Sequence, residues 1–152
     1  MKLLYMSVFS CLLAFLNALA AAPANESDSH CLALNLYFEA RSDGDDGMIA
    51  VGWVVLNRIA DAIYPNTACE VVHQGGEQPP CHWSWWCDGR SDTPTEPKAW
   101  AQAQEVARML LNDPPPDPTH GALWFHNESI DRPDWLQAQQ LTARIGGHIF
   151  YK

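Results

Sequence analysis

The chain has 152 residues, a net charge of −9 and 11% aromatic residues, including seven Trp. Such an acidic chain is a poor candidate for binding nucleic acid through a basic surface. Its length suits one modest core, without room for a second domain once a leader is set aside.

That leader is expected over residues 1–20. Lys2 supplies a positive start, Leu3 to Ala20 is apolar and nearly uncharged, and Ala18-Leu19-Ala20 presents small residues for cleavage. A membrane-spanning or anchoring helix is the competing reading. The Pro/Ser/Asp-bearing stretch that follows favours cleavage, and no stable membrane insertion is expected afterwards. The mature chain then carries about −10, because Lys2 is the leader's single charge.

Residues 21–30 read as a polar lead-in, with Asp28 or Ser29 capping a helix that runs to about Arg41. Ser42 to Gly47 breaks it. A second helix is predicted from Asp45 or Asp46 to Ile59, apolar nearly all round and therefore a core helix, with Gly52 admitting a close neighbour. Residues 61–97 hold many Pro and Gly and form a long irregular region, of the kind that often carries function. Thr95 and Pro97 open a helix over Lys98 to Leu111, with Trp100, Ala103, Ala107 and Leu110 on one face. Gly121 to Asn127 and His148 to Tyr151 have strand character and pair as a small antiparallel ribbon.

Four cysteines remain after the leader, Cys31, Cys69, Cys81 and Cys87, an even count that suggests two disulfides in an exported protein. Three pairings exist. Cys81 with Cys87 as a local clasp and Cys31 with Cys69 as a tie between the first helix and the following loop is the favoured one. Four free thiols or a zinc site are the alternatives, but no Cys-x-x-Cys run supports zinc.

Glu39 is the first candidate for chemistry. It is a single carboxylate in the segment Cys31 to Ala40, beside Tyr37 and Phe38, where desolvation disfavours the charged form and raises the pKa toward that of a general acid near neutral pH. The plainer reading ends an amphipathic helix with Glu39 paired to Arg41 or a surface lysine. Glycoside cleavage needs a carboxylic acid that protonates the leaving oxygen. Returned as a base, the same carboxylate can take the C6 hydroxyl proton of muramic acid and yield a 1,6-anhydro product. Hydrolysis by paired carboxylates needs a partner, for which Asp43, Asp45, Asp46 and Asp88 are available, each more simply a turn or cap residue. A one-glutamate lytic transglycosylase is therefore favoured over a muramidase.

Trp83, Ser84, Trp85, Trp86 and Asp88 lie in or beside the cysteine-bracketed loop, where Trp faces can stack on sugars and Ser84 can supply a hydrogen bond. The alternative is that two of the three Trp fill a small core. Trp124, His126 and Asn127 are expected to line a groove while Leu123 and Phe125 face the core; His148 and Tyr151 close the groove or, more simply, pack. The six histidines, His30, His73, His82, His120, His126 and His148, raise a zinc amidase as an alternative, but their spacing matches no ligand run. No metal and no cofactor are expected. A non-catalytic glycan-binding module is the remaining class.

Several segments carry a family likeness in fixed order: Tyr37-Phe38-Glu39-Ala40-Arg41, Ala50-Val51 through Val54-Val55-Leu56-Asn57-Arg58, His82-Trp83-Ser84-Trp85, Asp88-Gly89, Gly121 to Phe125 and Ile145 to Tyr151. Over roughly residues 31–152 the chain resembles the SleB-like cell wall hydrolases, whose best-known members are spore-cortex-lytic enzymes. The resemblance implies an α+β, mainly helical domain of lysozyme or lytic-transglycosylase type over 31–152. It implies Glu39 as catalytic acid/base and peptidoglycan glycan strands as substrate, with Tyr37, Trp83, Ser84, Trp85, Asp88, Trp124 and Asn127 as expected binding residues. The expected protein is a monomer, exported to the periplasm or the extracellular space. His82 and Trp83 depart from the Gln-Phe of many relatives, and the four cysteines are absent from spore enzymes.

Overall fold

The structure is a computed structural model and describes residues 26–152. The expected leader lies outside the described residues. Four helices, α1 (Glu26–Ala40), α2 (Gly44–Ala60), α3 (Ala68–Val72) and α4 (Pro97–Asn112), precede three strands, β1 (Trp124–Asn127), β2 (Leu141–Ile145) and β3 (His148–Tyr151). Short 3-10 turns occupy Ser84–Cys87 and Asp134–Leu136.

The mainly helical α+β expectation holds. α1 packs against α2, α3 and α4, contributing Leu32, Ala33, Leu36, Tyr37 and Ala40 to a core shared with Met48, Val51, Val54 and Val55 of α2 and Ala103, Ala107 and Leu110 of α4. Gly52 meets the expectation of a close approach: a Cβ there would stand 2.2 Å from Leu110 Cδ1 and 3.3 Å from Leu36 Cδ2. α4 begins with Pro97 in its first turn, but its N-cap position is Glu96 rather than Thr95.

Three expectations need correction. Residues 26–30, expected in the lead-in, are already helical in α1, and Asp28 does not cap its own helix. Its Oδ1 instead accepts from the Cys69 amide at 3.0 Å, satisfying an otherwise unpaired N–H in the first turn of α3. The irregular region 61–97 contains a helix, α3, started by Thr67, whose side chain accepts from the Glu70 amide. The expected two-strand ribbon is a three-stranded antiparallel sheet in the order β1-β3-β2. β2 was missed because its partly polar Leu-Thr-Ala-Arg-Ile run serves an edge position. The two-residue Gly146-Gly147 loop before β3 was the available hairpin signal, with Gly146 at φ +58.

The central strand, β3, is buried throughout, and its register pairs Phe125 with Phe150 and Asn127 with His148. Directly paired residues share a face. Phe125, Phe150, Asn127 and His148 therefore look toward the helices, while Trp124, His126, Ile149 and Tyr151 look the other way, onto the buried Leu136.

Candidate active site

The last turn of α2 supports the site from below. Asn57 Nδ2 donates to Asp117 Oδ2 at 3.1 Å and to the Ala122 carbonyl at 3.0 Å, and Arg58 Nε donates to the Leu123 carbonyl at 2.9 Å. Two consecutive side chains thus hold the lead-in to β1. The strand in turn presents Phe125, His126 and Asn127 to a cleft of about 330 Å³ that also contains Glu39, Arg58, His82, Trp83, Ser84 and His148.

Glu39 lies at a junction in this groove. One lobe is the cleft just described; a second, beyond Glu39 and Ser84, is lined by Phe38, Arg41, Trp85, Asp88, Arg90 and Asp92. Burial pushes the Glu39 carboxyl up to about 7, and the Arg58 guanidinium opposes that rise. The carboxyl is thus about half protonated near neutral pH, as a general acid requires. The alternative of a surface pair with Arg41 fails: Arg41 Nε binds Glu96 Oε1 at 2.9 Å and its guanidinium lies over the Tyr37 ring.

Arg58 is one residue that sequence reasoning left out of the site. It is 6% exposed, with its guanidinium 4.9 Å from the Trp83 ring centroid and 5.2 Å from that of Tyr64, and its Nη1 is buried without a hydrogen-bond partner. A charged side chain in the otherwise uncharged stretch from Met48 to Ala60 of α2 was the signal. Its meaning required knowing which element faced that turn.

The expected binding residues separate into two groups. Ser84 and Asp88 are exposed on the groove, Asn127 is exposed at the end of β1, and each lines a lobe beside Glu39. Tyr37 does not line it. Two residues along a helix turn a side chain through about 200°, so with Glu39 toward the groove Tyr37 points to α4. There its buried hydroxyl accepts from the Thr95 and Glu96 amides at 3.0 and 3.1 Å.

Trp83 and Trp85 are 2% and 6% exposed and form the groove's floor rather than a free stacking wall. Trp83 Nε1 donates to the Val71 carbonyl, Trp85 Nε1 donates to the buried Asn35 Oδ1, and Trp85 stacks on Phe38 at 5.0 Å between centroids. Two of the three loop Trp residues thus fill the core. Trp86 stacks against His73 at 3.9 Å. The two disulfides follow the favoured pairing, Cys31–Cys69 and Cys81–Cys87, and the second closes the loop that carries these rings.

The expected groove face of β1 is revised in part, since Phe125 joins His126 and Asn127 in the cleft. The pleat places Asn127 with Phe125, not with Trp124 and His126. His126 still borders the cleft, as expected, while its Nε2 lies 3.0 Å from the Tyr151 hydroxyl; Trp124 lines a side lobe with Cys81 and His82. His148 does reach the cleft. Its Nδ1 lies 2.8 Å from Asp43 Oδ2, and burial lowers its pKa while Asp43 pulls it back up. Asp43 is thereby engaged at the start of α2, and Asp45 is exposed and bound to Gln102. Of the four carboxylates considered as partners for Glu39, Asp88 alone lines a groove lobe with it, joined by Asp92, which sequence reasoning did not consider. Burial and the nearby Asp88 and Glu77 raise the Asp92 pKa, against the pull of His73.

The described residues contain no group of three His, Cys, Asp or Glu side chains placed to hold a metal ion, and none of their helices is long and apolar enough to cross a membrane.

A sequence profile of the family described as Cell Wall Hydrolase matches residues 42–151. Glu39 lies just ahead of the matched span. The chain is similar to the spore cortex-lytic enzymes of Oceanobacillus iheyensis and Bacillus subtilis, each 28% identical, over 84% and 83% of this chain and 42% and 38% of those proteins. It therefore spans less than half the length of these curated relatives. Two crystal or solved structures are similar over nearly their whole length. The catalytic domain of the Bacillus cereus SleB protein has a TM-score of 0.66 at 27% identity, covering 88% of this chain and 95% of that one. The catalytic domain of the germination-specific lytic transglycosylase SleB from Bacillus anthracis has a TM-score of 0.68 at 28% identity, covering 87% and 99%. The fold is the lysozyme-like one that the resemblance implied.

Proposed function

The chain belongs to the cell wall hydrolase family, and from that premise we propose that it cleaves the β-1,4 bond between N-acetylmuramic acid and N-acetylglucosamine in peptidoglycan, as a lytic transglycosylase. The observation that carries this reading is Glu39 itself: a carboxyl raised to about 7 at the junction of two groove lobes, so that a glycan strand can extend to either side of it.

In the first step the protonated Glu39 gives its proton to the glycosidic oxygen while the muramic acid C1–O bond breaks, leaving positive charge on the sugar ring. The leaving N-acetylglucosamine departs as a 4-hydroxyl. Glu39, now a carboxylate, takes the proton of the muramic acid C6 hydroxyl as O6 bonds to C1, closing the 1,6-anhydro ring and restoring the acid. No water enters the balance. The engagement of Asp43 with His148 and the exposure of Asp45 and Asp46 support the single-glutamate route. Hydrolysis would draw on Asp88 or Asp92, the carboxylates that share a lobe with Glu39.

The amidase alternative is disfavoured by how the histidines are used. His126 bonds the Asn127 carbonyl and Tyr151, His148 faces Asp43, His73 stacks on Trp86 and His30 packs edge-on against Trp100. Two disulfides fit an exported protein working at the wall, in the periplasm or outside the cell. Mass spectrometry of digested peptidoglycan tests the reading. Glycan fragments ending in 1,6-anhydromuramic acid are expected; reducing ends would place hydrolysis in its stead, and free stem peptides with intact strands would refute glycosidase activity.

A further inference from the structure

Trp135 is 61% exposed, whereas the other six Trp residues are buried or half-buried. Its position is not a consequence of slack chain. The next residue, Leu136, is fully buried against Ile149 and Tyr151, and the 3-10 turn closes through the Leu136 amide to the Pro133 carbonyl at 3.0 Å. The Arg132 guanidinium donates to the Leu136 and Gln139 carbonyls and lies 4.6 Å from the Tyr151 ring centroid. The turn is therefore pinned from beneath and from the side, and it holds a large apolar face in water at the lip of the groove.

Trp135 belongs to two adjoining lobes: the cleft that contains Glu39, and a smaller recess lined by Arg58, Cys81, His82 and Trp124. Burial of a flat aromatic face is favourable, and more than half of this side chain stands open to solvent in the free protein. Building on the proposed glycan cleavage, we infer that Trp135 is a stacking platform for a hexosamine ring of the bound strand, on the Arg58 and His82 side of Glu39. The lobe across Glu39 instead carries Asp88 and Asp92 with Arg41 and Arg90, so the two arms of the groove differ in kind. One arm grips by an apolar face and the other by charged and polar groups.

The test uses the inactive Glu39→Gln protein, so that soluble peptidoglycan glycan fragments stay intact, and reads tryptophan fluorescence with acrylamide as quencher. As the one exposed indole, Trp135 dominates quenching in the free protein. Added glycan should protect it, and Trp135→Ala in the same background should remove the protected component and weaken calorimetric binding by about tenfold, with Trp135→Phe in between. Unchanged quenching on addition of glycan, or equal affinity of the Ala variant, overturns the platform. Failure of the underlying reading has a different signature: a Glu39→Gln protein that still cuts glycan, or wild-type digests that contain no glycan fragments.

Discussion

Replacing Glu39 with Gln should both inactivate the enzyme and stabilise the fold, and the stabilisation should depend on pH with a defined sign. The Glu39 carboxyl has a pKa raised from 4.5 to about 7. Below 4.5 it is neutral in both folded and unfolded chains, so it makes no pH-dependent contribution. Between 4.5 and 7 the unfolded chain ionises first, and stability is lost as pH rises through that window. Above about 7 the loss is complete. At 1.36 kcal/mol per pKa unit the shift corresponds to about 3 kcal/mol at most, and partial solvent access reduces this to about 1–3 kcal/mol. Gln mimics the neutral acid and should escape the penalty. Thermal unfolding should give nearly equal midpoints for the two proteins at pH 4 and a midpoint higher by roughly 3–10 °C for the Gln variant at pH 8. Turnover should fall by about 10²–10⁴-fold or more, while wild-type activity should decline as pH rises past about 7 because the acid loses its proton. A constant difference in midpoint across pH, or a Gln variant less stable at pH 8, would refute the burial argument. More than about a tenth of wild-type activity in that variant would refute the catalytic one.

Arg58→Met removes the cation that holds the Glu39 pKa down, so the alkaline limb of the pH–rate profile should move to higher pH, whereas Arg58→Lys should leave it nearly in place; a limb that stays put in the Met variant would show that the two groups are uncoupled. Loss of the Cys31–Cys69 bridge, which spans 38 residues, should cost about 4 kcal/mol by chain entropy, against about 2 kcal/mol for Cys81–Cys87 with its span of 6, as judged by denaturant unfolding of the paired Cys→Ser variants. Removing the shorter bridge should slow catalysis more than it weakens the fold, since that bridge closes the loop bearing Trp83 and Trp85. Gly52→Ala forces a methyl group onto Leu110 and Leu36 and should destabilise by about 1–3 kcal/mol in the same assay, with the pH profile unchanged. Chelation with EDTA should leave the rate unaltered; loss of activity restored by zinc would reopen the amidase reading.

Much of the chain was legible because local pattern and tertiary demand agree. The apolar runs of α1, α2 and α4 mark them as core helices, Pro97 marks where α4 begins, and the even set of cysteines with one short spacing suggests the pairing that forms. Glu39 stood out for an energetic reason, since a carboxylate in an apolar segment is costly wherever that segment packs. Other features depend on which elements meet. Tyr37 and Glu39 are two residues apart, but helix rotation sends one to α4 and the other to the groove. Asp28 caps α3 rather than its own helix because the fold brings the Cys69 amide beside it. Arg58 influences Glu39 because α2 lies against α1, and Trp135 matters because a buried Leu136 and a pinned Arg132 fix the turn that displays it. Local pattern thus determined α1, α2 and α4 and singled out Glu39, where burial and periodicity act over a few residues. The neighbours of that acid, and the aromatic faces left open beside it, were decided by long-range packing, because side-chain direction and solvent exposure have no counterpart along a single strand of sequence.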